Sequence, residues 1–273
     1  MIKRSLALII CLIMAATLAA CGEDNTKGNE SSKDESYSVE SISSENGTAS
    51  EAFAESSAQG ENGEAVTAEF FDDAVFIGDS VTLKLSYYVD KIRENIGLEC
   101  LGDATFLCSG SLGYANAQWD INEEDNVHPT YQGTKYLVQD GVKAIGAKKA
   151  FIMLGMNDFA LYGIDETIDN AKSLINKIIT ESPDITIYIQ SVTPILAAAQ
   201  FDGFTNDNVV ALNEKLKAMC EENGWKYLDV ASVLKDDSGC LPPEYCSDPD
   251  AQGIHFTDEA CDIWIKYLEN NVA

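Results

Sequence analysis

The residues with the clearest chemical potential occur in four short stretches, each beside the end of a predicted strand or helix. A hydroxyl can attack a carbonyl carbon, and an imidazole can take the proton of that hydroxyl. A carboxamide can stabilise the oxyanion that results. The four stretches are Gly78-Asp79-Ser80, a segment containing Gly110 and Gly113, Gly155-Met156-Asn157-Asp158, and Gly253-Ile254-His255.

Ser80 directly follows a predicted strand over residues 74–78 and precedes a predicted helix over 81–96. Its hydroxyl would then lie beside a helix N-terminus, where unpaired N–H groups favour a developing oxyanion. Serine is also a preferred N-cap residue, so Gly-Asp-Ser alone leaves a purely structural role open.

Two further segments could supply oxyanion donors. Asn157 follows the predicted strand over 149–154, and Gly155 allows the backbone to turn tightly before it. A carboxamide at a strand end can donate to an oxyanion, although asparagine is also common in loops. After the predicted strand over 104–108, Gly110 or Gly113 could add a backbone N–H, and this is the least specific of the signals because glycines are ordinary turn residues.

The elements that must position these residues follow from apolar patterning. Short apolar runs bounded by turn residues predict buried strands, and helical spacing lies between them. Strand and helix in alternation predict a three-layer α/β domain with a parallel sheet, whose ligands bind at the carboxyl ends of the strands. We expect residues 114–138, which are irregular, to form an insertion near that edge. The predicted strands are 74–78, 104–108, 149–154, 185–191 and 226–230, and the predicted helices are 81–96, 168–179, 209–220 and 258–268, the last with Thr257 as N-cap.

The order of these motifs over residues 73–271 resembles that of the SGNH hydrolases, also called the GDSL family. The shared features are the Gly-Asp-Ser near the start, a glycine after the second strand, Gly-x-Asn-Asp after the third and a histidine before the last helix. The resemblance implies a serine esterase or acyl hydrolase on a flavodoxin-like sheet of about five parallel strands. It implies no metal and no other cofactor.

The resemblance also implies a role for each matching residue. Ser80 would be the nucleophile, and His255 would be the base that takes its proton. The backbone N–H groups of Ser80 and Gly110 and the side chain of Asn157 would form the oxyanion hole.

The acid that would orient His255 is not evident. The family usually has aspartate three residues before the catalytic histidine, where this chain has Gln252. Asp250 or Asp248 could reach the ring from a rearranged loop, a Ser–His dyad could suffice, or the site could have lost activity. The sequence favours Asp250, since a two-residue insertion would account for its position.

The chain has only one other histidine, His128, and it competes with His255 for the role of base. Asp125 lies three residues before His128, which matches the family spacing better than the surroundings of His255 do. His128 nevertheless precedes Asn157 in the chain, whereas the family histidine lies near the carboxyl end. Chain order therefore favours His255.

The first 68 residues differ in composition from the rest. Residues 1–21 have a basic start, an apolar stretch and small residues before Cys21, which predicts an export signal ending in a lipobox, with lipid attached to Cys21. An ordinary signal peptide is the alternative. Residues 22–68 are acidic and rich in serine, which predicts a flexible tether, and residues 69–273 form the domain. We therefore expect an exported protein, held at the outer face of the bacterial membrane through lipid alone.

The charge of the chain restricts its partners. The formal charge of −27 divides into +2 for the signal, −9 for the tether and −20 for residues 69–273. Such a domain should repel nucleic acid and favour neutral substrates. Small acyl esters, O-acetyl groups of glycans among them, are the expected substrates. Tyr114, Trp119 and Tyr131 could stack on sugars or simply pack the insertion.

A non-catalytic surface binding protein on the same fold is the alternative function, and Gln252 is the feature that supports it.

The cysteines do not decide between the two functions. Six of them follow the tether, and sequence proximity favours a disulfide between Cys240 and Cys246, with free buried thiols as the alternative. No cysteine pair has zinc-site spacing, so no structural metal is predicted.

Overall fold

The computed structural model describes residues 65–97 and 99–272. The predicted signal peptide, its Cys21 and the predicted tether up to residue 64 lie outside the described residues. Within the two described ranges, no helix combines the length and the apolar character that crossing a bilayer requires.

The chain alternates strands and helices from residue 74 onwards, and the predicted strands and helices all occur, with bounds shifted by a few residues. Short 3₁₀ turns join several of them. The elements are β1 (Ala74–Gly78), α1 (Ser80–Ile96), β2 (Thr105–Cys108), β3 (Thr130–Tyr131), β4 (Thr134–Lys135), α2 (Val138–Ile145), β5 (Lys149–Met153), α3 (Phe159–Tyr162), α4 (Ile164–Glu181), β6 (Thr186–Gln190), α5 (Asn206–Asn223), β7 (Lys226–Leu228) and α6 (Asp258–Asn271).

The main sheet has five parallel strands in the order β2-β1-β5-β6-β7. All five residues of β1 are buried, which explains its unbroken apolar sequence, because helices cover both faces of such a sheet. The predicted three-layer α/β fold with a parallel sheet is confirmed. Strands β3 and β4 form a separate antiparallel hairpin inside the predicted insertion.

A row of aromatic side chains crosses the sheet and helps to fix its register. Phe106, Phe76, Phe151 and Tyr188 occupy paired positions on adjacent strands. Their rings stack in sequence, with centroid separations of 5.1, 4.8 and 4.4 Å. Because a one-residue slip would turn each ring to the opposite face, this row favours a single register.

The helices pack in two groups. Helix α4 contacts both α2 and α5, whereas α1 contacts α6. The side chain of Thr257 accepts a hydrogen bond from the Ala260 N–H, so the predicted N-cap of α6 is confirmed. Helix α2 was not predicted. It has only eight residues and contains Gly141, where a Cβ atom would lie 2.8 Å from Leu107.

Candidate active site

Three strand ends meet at one edge of the sheet. Gly78, the last residue of β1, is paired with Cys108 at the end of β2 and with Met153 at the end of β5. Ser80 and Gly110 each lie two residues beyond these paired positions, and Asn157 lies four beyond. The register of the sheet therefore brings the predicted nucleophile and the predicted oxyanion donors to the same edge.

Ser80 is the first residue of α1, but it does not cap the helix. The N-cap is Asp79, whose Oδ1 accepts a hydrogen bond of 2.9 Å from the Val81 N–H. Ser80 is 6% exposed, and its Oγ has no hydrogen-bond partner among the described residues. The capping role that would have explained this serine structurally belongs to its neighbour, which leaves the hydroxyl available for chemistry.

A glycine before Asp79 is required by close packing. A Cβ atom on Gly78 would lie 1.9 Å from Oγ1 of Thr82 and 2.9 Å from the carbonyl oxygen of Met153. Any side chain there would push the end of β1 away from β5 or disturb the first turn of α1. Gly78 therefore lets the strand lead directly into the helix that carries Ser80.

The carboxamide of Asn157 is held by the side chain of Asp79, the residue before Ser80. Its Nδ2 donates to Oδ2 of Asp79 at 3.2 Å and to the carbonyl oxygen of Leu112 at 3.1 Å. Both partners can only accept, so the orientation of the amide is determined. Burial raises the pKa of Asp79 to about 6, although the Val81 N–H bond and the nearby charge of His255 oppose this shift.

Asp158 has a structural task at this edge. Its two carboxylate oxygens accept hydrogen bonds of 2.9 Å from the backbone N–H groups of Tyr114 and Ala115. Burial raises its pKa to about 6, while these two bonds oppose the shift. A Cβ atom on Gly113 would lie 2.5 Å from the same carboxylate, so the loop can approach Asp158 only with glycine there.

These contacts separate the two candidate glycines. The Gly113 N–H already donates to the side-chain oxygen of Asn116 at 2.7 Å. The Gly110 N–H makes no hydrogen bond within the described ranges, and a Cβ atom there would meet open space. Gly110 is thus the better placed donor for a bound ligand.

His255 lies in a closed loop whose centre is Asp248. The carboxylate oxygen Oδ2 of Asp248 is 2.7 Å from Nδ1 of the His255 ring, and Oδ1 accepts from the backbone N–H groups of Ile254 and His255. An antiparallel bridge between Cys246 and Phe256 closes the loop.

The prediction that Asp250 orients the His255 ring is therefore wrong. Asp250 is exposed and makes no contact with the ring, whereas Asp248, the other candidate, does. The reason is that the loop folds back on itself, which brings the residue seven positions before His255 closer than the one five positions before. Gln252, at the usual family position, donates only its backbone N–H to Asp248.

The contact with Asp248 fixes the chemistry of His255. A carboxylate only accepts, so Nδ1 carries the proton and Nε2 keeps its lone pair. Burial alone would raise the pKa of Asp248, but the hydrogen bonds and charge of His255 hold it below its ordinary value. His255 is 9% exposed, and its Nε2 is buried with no partner among the described residues. This arrangement can remove a proton from a nearby hydroxyl.

His128 has no such arrangement. Its ring is 2% exposed, and Nε2 lies 3.0 Å from the carbonyl oxygen of Trp119. Burial lowers the pKa of His128. The histidine therefore holds the insertion together.

Tyr114, which we considered as a sugar-stacking residue, is fully buried and cannot contact a ligand, whereas Trp119 and Tyr131 are half-buried.

The cysteines are free thiols in the described ranges, so the predicted bond between Cys240 and Cys246 is not formed. The Cys246 thiol instead donates to Oδ1 of Asp248 at 3.4 Å. Between residues 65 and 272, apart from residue 98, no three His, Cys, Asp or Glu side chains lie together in a way that could hold a metal ion.

Sequence patterns missed one residue of this site and did not single out a second. The missed residue is Asp79, which the sequence analysis names only within the Gly-Asp-Ser motif, although an aspartate directly before a predicted helix is a typical N-cap. Asp248 was considered but not preferred. Nothing in the local sequence distinguishes it from Asp250, because only the closure of the loop does so.

Comparison with known proteins identifies the family of the chain. The model of the GDSL-like Lipase/Acylhydrolase family matches residues 76–263. No curated protein matches the chain significantly.

Similar solved structures show the same fold. A protein from Streptococcus pneumonia named as a platelet activating factor has 17% identity and a TM-score of 0.53, covering 74% of this chain and 84% of its own. A GDSL-like lipase from Bacteroides thetaiotaomicron has 16% identity and a TM-score of 0.51, covering 72% and 85%. At such identities the likeness concerns the fold alone. The family match spans most of the chain, and it includes Ser80, Asn157 and His255. The resemblance seen in the sequence is therefore confirmed, and this protein belongs to the GDSL-like lipase/acylhydrolase family of carboxylic ester hydrolases.

Proposed function

We propose that the protein hydrolyses small acyl esters, in particular O-acetyl groups on glycans, with Ser80 as nucleophile and His255 as base. The observation that carries this proposal is the state of the two side chains. The Oγ of Ser80 and the Nε2 of His255 are both buried without partners among the described residues, while Asp248 holds the other ring nitrogen at 2.7 Å. A base in the required tautomer and an unpaired hydroxyl are what covalent catalysis needs.

The first half of the reaction transfers the acyl group to the enzyme. Nε2 of His255 takes the hydroxyl proton of Ser80 as Oγ attacks the ester carbonyl, and Asp248 stabilises the imidazolium that forms. The same proton then passes from His255 to the departing alcohol. In the second half, His255 deprotonates a water molecule, which attacks the acyl group on Ser80. The bond between the acyl carbon and Oγ then breaks, His255 returns the proton to Oγ, and the carboxylic acid is released.

The oxyanion that forms in each half has three candidate donors at the strand edge. The backbone N–H groups of Ser80 and Gly110 are two of them, and Nδ2 of Asn157 is the third. Both N–H groups of the Asn157 amide already donate, to Asp79 and to the Leu112 carbonyl. The mechanism therefore requires the amide to exchange the Leu112 carbonyl for the oxyanion while Asp79 keeps its hold.

The substrate and the location are supported by charge and sequence. A domain of net charge −20 disfavours polyanionic substrates, which leaves neutral esters. The predicted signal and Cys21 support a lipid-anchored enzyme outside the cytoplasmic membrane, where envelope or environmental glycans are accessible. The alternative of a non-catalytic binding protein relied on the absence of an acid at Gln252, and the contact from Asp248 removes that reason.

A fluorophosphonate probe tests the nucleophile. We expect labelling of the wild type and of Ser247→Ala, which alters a nearby exposed serine, but not of Ser80→Ala. The wild type should also hydrolyse p-nitrophenyl acetate and an acetylated methyl glucoside faster than p-nitrophenyl octanoate. A folded wild-type protein that is neither labelled nor active on any of these esters would refute the proposal.

Metabolic labelling with an alkyne fatty acid tests the anchor. Full-length protein should incorporate the lipid and sediment with membranes, and Cys21→Ser should do neither. Cys11→Ser is the matched control, because Cys11 lies inside the predicted signal, and it should behave as the wild type. Equal labelling of Cys21→Ser would show that the anchor is elsewhere.

A further inference from the structure

One loop of this fold presents an aromatic ring to solvent. In the described ranges, four large apolar side chains are more than half exposed: Tyr87, Ile96, Phe201 and Val210. Tyr87, Ile96 and Val210 lie on helices. Phe201, at 56% exposure, lies in the loop that follows the carboxyl end of β6, which is the end of the sheet that carries the catalytic groups.

The loop holds the Phe201 ring in a defined position. The backbones of Phe201 and Phe204 exchange two hydrogen bonds, of 3.1 and 2.8 Å, around a turn in which Gly203 has a φ of +80°. The Phe204 ring stacks on Phe201 at 5.0 Å and on Phe159 at 5.5 Å. One face of Phe201 is thus covered and the other is open, so a ligand would lose little by ordering it.

The loop adjoins both catalytic segments. Phe159 directly follows Asn157-Asp158, so the aromatic stack begins at the oxyanion segment. On the other side, the Leu196 N–H donates to the carbonyl oxygen of Gly253 at 2.8 Å, two residues before His255. Phe201 therefore lies on a loop that packs between the Asn157 segment and the His255 segment.

We propose that Phe201 determines specificity for the alcohol part of the ester: the open face of its ring packs against the sugar that carries the acyl group. The inference rests on the proposed function and names the surface that selects a glycan. Pyranose rings have an apolar C–H face that fits an aromatic ring, and the carboxylate of exposed Asp202 can accept bonds from sugar hydroxyls.

Kinetics with Phe201→Ala test the inference. Catalytic efficiency on an acetylated methyl glucoside should fall by about 3- to 10-fold through KM, with hydrolysis of ethyl acetate unchanged, since ethanol has no ring to stack. Tyr87→Ala removes an aromatic side chain of equal exposure, 56%, from α1 and should change neither rate. Unchanged kinetics on the sugar ester, or a loss confined to p-nitrophenyl acetate, would overturn the proposal.

A binding measurement separates this inference from the proposed function. In the Ser80→Ala background, Phe201→Trp should report the acetylated methyl glucoside by a saturable fluorescence change, and Tyr87→Trp should not. If the wild type hydrolyses the sugar ester and Phe201→Trp shows no change, the inference fails while the function stands. If the wild type hydrolyses no ester, the proposed function fails, and the titration still tests whether the ring binds sugar.

Discussion

The two histidines of this chain are both buried, but their rings are held at opposite nitrogens. Nε2 of His128 donates to the Trp119 carbonyl, which leaves Nδ1 with the lone pair. His255 donates from Nδ1 to Asp248, which leaves the lone pair on Nε2. The first arrangement holds the insertion in place, and the second leaves a ring nitrogen that can accept a proton.

The comparison also shows that the sequence spacing between an aspartate and a histidine does not decide whether the two side chains are in contact. His128 has Asp125 at the spacing typical of the family, but Asp125 is exposed and makes no hydrogen bond to the ring. His255 lacks aspartate at that spacing and obtains its carboxylate from seven residues away. A carboxylate reaches a ring only where the backbone turns it inward, and the bridge that closes the His255 loop provides this turn.

The largest expected effect comes from exchanging the two histidines for alanine in turn. His255→Ala should reduce kcat by about 10⁴- to 10⁶-fold, because the hydroxyl loses its base. His128→Ala should stay within about tenfold of the wild type, measured on p-nitrophenyl acetate with folding checked by circular dichroism. The reverse result would show that chain order selected the wrong histidine.

Of the aspartates near the two histidines, only Asp248 should affect kcat strongly. Asp248→Asn should reduce kcat by about 10³- to 10⁴-fold, because an amide neither stabilises the imidazolium nor holds the correct tautomer. Asp250→Asn and Asp125→Asn are controls of equal charge change and should remain within about twofold. If none of the three lowers kcat, a Ser–His dyad performs the reaction.

His128, whose replacement should affect kcat least, should be the histidine that contributes to the stability of the fold. His128→Ala should lower the free energy of unfolding at pH 7 by about 1–3 kcal/mol, through a lost hydrogen bond and a cavity. Because burial lowers the folded-state pKa of His128, the unfolded chain binds its proton first as pH falls below about 6.5, and this part of the stability is lost. The gap between wild type and variant in urea unfolding should therefore narrow from pH 7 to pH 5. A gap that widens would mean that His128 is charged in the folded state.

The smallest effect should come from the thiol that contacts Asp248. Cys246→Ala removes a weak donor to Oδ1 and should lower kcat by about two- to fivefold, while Cys246→Ser keeps a donor and should be closer to the wild type. Cys240→Ala is the control, since Cys240 contacts Gln200 rather than the catalytic loop. Equal kcat for both alanine variants would show that the thiol only fills space.

The sequence by itself determined the α/β architecture and the positions of Ser80, Asn157 and His255 along it. Strand and helix patterns are local, because burial on both faces of β1 requires an unbroken apolar run and the amphipathic helices repeat every 3.6 residues. Once the strands are parallel, their carboxyl ends share one edge, and residues that follow them meet there.

The tertiary structure alone decided which carboxylate serves His255 and which glycine keeps a free N–H. Each depends on how a loop closes against another part of the chain. The bridge between Cys246 and Phe256 selects Asp248 over Asp250. The hydrogen bond that the Tyr114 N–H donates to Asp158 draws in the loop that contains Gly113. Such contacts join segments up to 44 residues apart, so their geometry is set by packing and leaves no periodic mark in the sequence.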